Sequence, residues 1–454
     1  MDSMELEKLL KKYDVPVPRY TSYPTVPSWD HSTMNELIWK EKVKKRFSLE
    51  NGELSLYIHL PFCENLCTFC ACNKRITKNH KVEDPYVNAV LAEWAIYRSF
   101  LPGKPVLKEL HLGGGTPTFF SPENLQNLLS GITTDCILQI DREFSIEVHP
   151  NYTTEKHLET LASFGFKRIS VGVQDFDPKV QFAINRIQSF EKTREVVEWA
   201  RKHGYSSINI DLVYGLPHQA IESIQQSINC IRQLMPDRIA FYSYAHVPWK
   251  SKVQRRYSES DLPDAELKLA MYSSGRMQLE AAGFIAIGMD HFALKNDSMF
   301  IAAENGSLNR NFMGYTTTTS KLLIGLGTSS ISDCWDGFIQ NDKTVESYEA
   351  LIAEGRIPII AGHALSQEDL AVRKIILDLM CSKPVSLNES RLSIDYKEKV
   401  ISRLVTFIDE GLILFNDGIV SVTRKGKTFI RNIAASFDTS LFKEGAYNGF
   451  SKAI

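Results

Sequence analysis

The sequence contains no run of eighteen consecutive apolar residues, so nothing in it is expected to span a membrane. It lacks a dominant charge as well. Lys and Arg number 52 against 54 Asp and Glu, which removes the electrostatic case for nucleic acid as the main partner. The opening MDSMELEKLLKKYD has no apolar core, and a secretory signal would need one. Cysteine is scarce, eight in 454 residues. Four of these, Cys136, Cys230, Cys334 and Cys381, are scattered as buried reduced thiols would be. Together these absences lead us to expect a reducing, cytoplasmic setting without disulfides, and the length suits two to three domains.

The remaining cysteines are concentrated. Cys63, Cys67 and Cys70 form C-x3-C-x2-C directly after an apolar run, and Cys72 follows. A zinc knuckle is the weaker reading, because structural zinc sites usually come as separated pairs with the chain folding back between them. Iron–sulfur clusters normally take four cysteines. A site built from three leaves one iron of a 4Fe–4S cluster open to a small molecule, an arrangement characteristic of radical S-adenosylmethionine enzymes. Phe62, Leu66 and Phe69 interleave the cysteines and would shield a cluster from water, which helps to set its potential.

From residue 54 short β-like runs alternate with helical stretches. The runs 54–60, 107–115, 143–150, 167–175, 207–215 and 238–246 read as six parallel strands joined by helices. Nearly every run is aliphatic on one face and polar on the other: Ile146 and Val148 oppose Glu147 and His149, and Ile210 and Leu212 oppose Asn209 and Asp211. An ordinary eight-stranded barrel fills its interior with branched apolar side chains. A polar inner face therefore predicts an α/β fold of the open, partial TIM-like (β/α)6 type, with a lumen that holds ligand. Around it we expect an N-terminal leader or lid at 1–50, the barrel with its cluster loop at 51–290, and a barrel extension at 291–364. A mostly helical, winged-helix-like domain is expected at 365–454. Within these fall a strand at 284–292, a Gly-rich stretch at 322–332, and helices near 366–382 and 395–410. A hairpin at Asp417-Gly418 and a last helix from about 426 complete the chain. The hairpin carries no strong basic stripe, so a packing or capping role is favoured over DNA reading.

GGGTP at 113–117 follows the second run. Its glycines let the backbone approach a ligand, and it lacks the G-x-x-x-x-G-K-[ST] of a phosphate loop. Glu147, Gln174, Arg186 and Asp211 stand at or just past later strand ends. Carboxylates there could accept from ribose hydroxyls, and Arg186 could fork onto a carboxylate.

Motifs over essentially the whole length resemble those of the oxygen-independent coproporphyrinogen III oxidases, radical S-adenosylmethionine enzymes of haem biosynthesis. They include PRYTSYPT (18–25), YIHLPFCENLCTFCACNK (57–74), HLGGGTPT (111–118), VGVQDF (171–176), NIDLVYGLP (209–217), IGMDHFA (287–293), RNFMGYTT (310–317) and RNIAASFD (431–438). The resemblance implies oxidative decarboxylation of two propionates of coproporphyrinogen III to vinyl groups, giving protoporphyrinogen IX by a 5′-deoxyadenosyl radical. It implies Cys63, Cys67 and Cys70 as the metal ligands and, with Tyr57, as the catalytic set. Two S-adenosylmethionine molecules would contact Tyr57, Phe69, Gly114, Gly115, Thr116, Glu147, Gln174, Arg186, Asp211, Ala245 and Ile331. An unidentified electron donor and acceptor, and a monomeric state without nucleic acid or membrane, complete the expectation. One departure is Tyr242, where the family pattern leads us to expect phenylalanine.

Exposed ion pairs contribute about 0 to 1 kcal/mol each, while micromolar binding needs about 8 kcal/mol. Several partly buried basic residues should therefore meet the substrate propionates, and Arg19, Lys74, Arg75 and Arg310 are the candidates. Two alternatives stay open. One is a haem-binding relative, against which the leader and the CACNK run count; the other is a nucleic-acid-associated protein using the winged helix.

Overall fold

The computed structural model describes residues 3–249, 251–389, 391–442, 450 and 452. The outer ends of the leader and of the C-terminal segment lie outside the described residues. Six strands alternate with helices as expected: β1 (Glu53–Leu60), β2 (Val106–Gly114), β3 (Ile137–Val148), β4 (Phe166–Gln174), β5 (Ser207–Tyr214) and β6 (Arg238–Ser243). Local chemistry starts the intervening helices. Ser121 caps Pro122–Thr133 with proline at the first turn, Thr154 and His157 form a capping box on Glu155–Ser163, and Ser189 caps Phe190–Lys202.

β7 (Ile285–Ala286), β8 (His291–Ala293), β9 (Leu323–Leu326), β10 (Ile331–Asp333), β11 (Gly337–Asn341) and β12 (Ile359–Ala364) join the same sheet. Its order is β12-β11-β10-β9-β1-β2-β3-β4-β5-β6-β8-β7. Pairs from β9 through β1 to β6 are parallel, and both flanks are antiparallel. The sheet is an open, partial barrel.

Two expectations need correction. The Gly-rich stretch at 322–332 holds a seventh parallel strand, β9 against β1, and then turns into antiparallel β10, glycine permitting close backbone approach on both sides. A Cβ at Gly325 would lie 2.6 Å from the Ile331 carbonyl oxygen, and one at Gly327 would lie 2.5 Å from that of His59. The strand expected at 284–292 is instead two short antiparallel strands, closed by the Ile287 N–H donating to the His291 carbonyl at 2.9 Å.

The aliphatic faces of the strands lie under the helices. Leu56, Ile58, Leu110, Leu112, Ile146, Val171 and Ile210 are fully buried in one continuous core, each stabilising the fold by roughly 1.5 to 3 kcal/mol. A second core belongs to the C-terminal module of helices Gln367–Met380 and Ile394–Asp409, with hairpin strands Ile413–Asn416 and Ile419–Val422. Asp417 and Gly418 both take positive φ, 49° and 77°, as a tight two-residue hairpin turn requires. The expected last helix begins as a 3₁₀ turn, Gly426–Phe429, and becomes α-helical only at Ile430–Ala435.

The leader is shared between the two cores. Leu9, Leu10, Tyr13, Val17, Tyr20 and Tyr23 pack into the C-terminal one, whereas Met34, Trp39, Val43 and Phe47 pack into the barrel. Among the described residues no helix is long and apolar enough to cross a membrane.

Candidate active site

β1 delivers the cysteine loop to the carboxyl end of the sheet, where barrel sites gather. Phe62–Cys63 pairs with Arg75–Ile76, which ties the two ends of the loop together. GGGTP packs beneath it: the Gly115 N–H donates to the Leu60 carbonyl at 2.9 Å and the Thr116 N–H to that of Phe62 at 3.0 Å. A Cβ at Gly115 would meet the Pro61 carbonyl oxygen at 2.5 Å and Cys63 Sγ at 3.0 Å, so only glycine fits. Thr116 Oγ1 lies 3.3 Å from Cys63 Sγ.

The loop is fastened from two sides. On one side Thr68 N–H and Oγ1 donate to the carbonyls of Ile184 and Ala183 at 3.0 and 3.1 Å, and Asn185 Nδ2 donates to the Leu66 carbonyl at 2.8 Å. Arg186 donates to the Gly172 carbonyl at 2.6 Å and points its other terminal nitrogen at Cys67 Sγ, 3.6 Å away. On the other side the buried Gln254 donates to the carbonyls of Phe69 at 3.0 Å and Ala245 at 3.3 Å. Lys74 Nζ caps the carbonyls of Cys70 and Cys72 at 3.1 and 3.3 Å.

The donor set fits an iron–sulfur cluster. Burial pushes the Cys63 thiol up to about 11 against the Thr116 hydrogen bond, while a hydrogen bond from Cys72, outweighing burial, and the cations Lys74 and Arg186 pull the Cys70 thiol down. Cationic side chains beside thiolates suit a cluster whose ligands must be deprotonated. Among the described residues no three His, Cys, Asp or Glu side chains form a group that could hold a single metal ion. A cubane instead attaches each thiolate to a different iron, so its sulfurs stand further apart.

Beside the loop lies a cavity of about 290 Å³, lined by Tyr57, His59, Cys72, Gly114, Glu147 and Ile331 among others. Phe312 and Met313, at the turn of the hairpin formed by Asn309–Asn311 and Gly314–Thr316, also line it. His59 Nε2 donates to the Asn73 carbonyl at 3.0 Å, so Nδ1 accepts from the Tyr57 hydroxyl at 3.0 Å, and burial holds the imidazole neutral by lowering its pKa. Desolvation at the cavity wall would raise Glu147, but the hydrogen bond and charge of His111 and the Gly114 N–H outweigh it and hold the carboxyl below its ordinary range.

The polar strand faces continue inward as a second cavity of about 140 Å³. Here Ser170 Oγ and Asn209 Nδ2 donate to Asp211 at 2.9 and 2.8 Å. Burial and the charge of Glu147 raise Asp211 to about 6 in spite of these bonds. Deeper still, Arg168 pairs with Glu143, and Arg238 with Asp297 at 2.7 Å.

The expected cofactor contacts are thus distributed. Tyr57, Gly114, Glu147 and Ile331 share the upper cavity, and Glu147 and Asp211 line the lumen. Gln174 stands beside Arg186 over Gly172. Gly115 and Thr116 back Cys63, Phe69 is linked to Ala245 through Gln254, and Ala245 opens onto a separate cavity of about 440 Å³ with Arg19.

The basic candidates diverge. Arg310 is 8% exposed and donates to the carbonyls of Tyr20 and Arg19 at 3.1 and 3.3 Å, so it anchors the leader. Arg75 pairs with the exposed Glu346 at 2.9 Å, and Lys74 serves the cysteine loop. Arg19 pairs with Asp290 at 3.1 Å and lies over the Tyr242 ring at 5.5 Å. The Tyr242 hydroxyl, unexpected on the family pattern, finds His291 Nε2 at 3.4 Å.

Sequence reasoning missed Gln254, Asn185 and His59. The first two lie far along the chain from the loop they hold, and no spacing signals them.

Residues 57–231 match the Radical SAM superfamily. The oxygen-independent coproporphyrinogen III oxidase of Synechocystis is 39% identical, covering 98% of this chain and 97% of its own. The enzyme of the same name from Helicobacter pylori strain J99 is 38% identical over 100% of both. Among solved structures, the coproporphyrinogen III oxidase of Escherichia coli, described as a radical SAM enzyme, superposes with a TM-score of 0.88 at 34% identity, covering 94% of this chain and 100% of its own. On full-length likeness of sequence and fold, this chain belongs to the family of oxygen-independent coproporphyrinogen III oxidases, radical SAM enzymes that use a 4Fe–4S cluster and S-adenosylmethionine.

Proposed function

We propose that the chain converts two propionate side chains of coproporphyrinogen III to vinyl groups, yielding protoporphyrinogen IX. The observation that supports it most is the cavity beside the three-cysteine loop at the barrel mouth, lined by Cys72 and Asn73 from the loop together with Tyr57, Gly114 and Glu147, in a chain that matches coproporphyrinogen III oxidases end to end. When bound, the reduced cluster and S-adenosylmethionine supply an electron and a 5′-deoxyadenosyl group that together remove a hydrogen atom from a propionate β-carbon.

The protein's own groups position and shield that chemistry. Cys63, Cys67 and Cys70 hold the cluster, with Thr116 and Arg186 fixing the first two sulfurs. Gly114 and Gly115 bring backbone against the cofactor. Glu147 and Asp211 accept from its hydroxyls, while Gln174 and Arg186 meet its polar end. Tyr57, Phe69, Ala245 and Ile331 wall the site. Tyr57 is fixed in place by His59, and Phe312 and Met313 add apolar wall to the same cavity. The same reading places the protein in the cytoplasm as a monomer, served by separate electron donor and acceptor.

The test is anaerobic reconstitution with iron and sulfide, followed by assay for 5′-deoxyadenosine with and without coproporphyrinogen III. Formation that depends on the substrate, with loss of two carboxyl groups by mass, is the expected result. A substrate that only binds unchanged would favour the haem-handling alternative.

A further inference from the structure

The turn Lys252–Arg256 that fastens the cysteine loop has two faces. Residues three apart eclipse in a 3₁₀ helix. Ser251, Gln254 and Tyr257 have that spacing and reach the carbonyls of Cys70, Phe69 and Thr68 in order, at 3.4, 3.0 and 3.4 Å. The intervening positions turn outward. Lys252, Arg255 and Arg256 are exposed, and among the described residues no carboxylate lies at ion-pair distance from them.

Two large rings accompany these cations on the surface. Trp249 is 64% exposed and Phe182 is 65% exposed, with the Arg256 guanidinium 5.9 Å from the Phe182 ring. Phe182 belongs to the short helix Pro178–Ala183, which runs into the Ala183 and Ile184 carbonyls that hold Thr68. Both fastenings of the loop therefore end, on their outer side, in one basic patch carrying exposed aromatics. The cysteines Cys67 and Cys70 lie just beneath it.

We propose that this patch is the docking surface for a small acidic protein that carries a single electron to the cluster. The inference rests on the radical reading above, which needs one electron from outside the chain. Exposed aromatic and arginine side chains are the residue types that interfaces concentrate. Unpaired cations of one sign steer an oppositely charged partner and raise its rate of encounter. Electron-transfer contacts are small and transient, and three cations around two rings make a patch of that kind. The step itself moves one electron from the reduced carrier to the oxidised cluster, which passes from the 2+ to the 1+ state. No bond or proton moves.

The experiment uses the reconstituted full chain and a flavodoxin, an acidic flavoprotein that cycles by one electron, as probe. Cluster reduction is followed by absorbance, and binding by titration of the flavodoxin at low and high salt. In the triple variant Lys252→Glu, Arg255→Glu, Arg256→Glu, flavodoxin affinity and flavodoxin-driven reduction should both fall tenfold or more at low salt, while reduction by dithionite stays within twofold. The milder Gln triple variant should fall between, and Lys45→Glu with Lys399→Glu, on other surfaces, should change nothing. Wild-type rates from flavodoxin in the charge-reversed protein would overturn the proposal. So would a patch whose reversal abolishes binding of a nucleic-acid duplex but leaves flavodoxin binding intact. Dithionite reduction without any 5′-deoxyadenosine would defeat the decarboxylase reading separately, since the docking measurement does not depend on it.

Discussion

The two faces of the barrel strands share one backbone and are built on opposite terms. Outward, Leu110, Leu112, Ile146, Val171 and Ile210 are sealed beneath helices and gain stability by leaving water. Inward, Ser145, Glu147, Ser170, Asn209 and Asp211 are tolerated because they bond to one another or to His111. A few atoms are left over. Glu109 Oε2 and Asn209 Oδ1 are buried without a protein partner, which is what a lumen prepared for water or ligand would show. The outer face thus sets how firmly the barrel stands, and the inner face sets what it can hold.

The sharpest break in that comparison comes from the loop at its rim. Cys63→Ala, Cys67→Ala or Cys70→Ala should each abolish the visible absorbance of the reconstituted 4Fe–4S cluster, with both strand faces left folded by circular dichroism. Cys72→Ala should retain it; its loss there would mean a fourth protein ligand.

Next in size is the outer face. Leu112→Ala opens a cavity under the helices and should cost about 2 to 5 kcal/mol in urea unfolding, with the affinity of the folded fraction for S-adenosylmethionine unchanged. An affinity that fell in step would show the two faces to be coupled.

Gln254→Ala removes the link between the loop and the segment after β6. The lost hydrogen bonds should cost about 1 to 3 kcal/mol, and the cluster should still form. The electron paramagnetic resonance signal of the reduced protein with S-adenosylmethionine should change, a readout that a purely structural role would leave alone.

The inner face should give the smallest effect, a change of slope. Burial raises Asp211 to about 6 in the folded state, against an ordinary 3.8, so between these values the native state holds a proton that the unfolded chain has released. The contribution of this group to stability is full below the ordinary value and is lost as pH rises through about 6. Glu147, held low by the hydrogen bond and charge of His111 against desolvation, works in the opposite sense and loses its contribution as pH falls. Asp211→Asn should therefore flatten the fall in melting temperature over the upper window and leave the acid limb intact.

Much of the barrel was legible because period two is a local signal. Once alternate residues are aliphatic, the face that meets the helices is settled. β9 was not legible, since a four-residue strand among glycines carries no periodicity. Its place in the sheet depends on backbone approach to β1 at Gly327 and to β10 at Gly325. The cysteines were legible because three ligands lie within eight residues, whereas Gln254 and Asn185 act from more than a hundred residues away. Arg310 is the instructive case. Its charge suggested a propionate partner, and the fold turns two of its three nitrogens to the leader carbonyls while Nη1 is left without a protein partner.

The sequence by itself determined the six βα units, the polar inner face and the three-thiolate loop, because each is written in neighbouring residues through alternation, capping and spacing. Only the tertiary structure decided that the leader divides between two cores, that a 3₁₀ turn carries both the fastening of the loop and an exposed basic patch, and that four expected contacts share one cavity while others do not. Those outcomes depend on which distant carbonyls and side chains come within hydrogen-bonding reach. Such distances are set by packing, which no local pattern records.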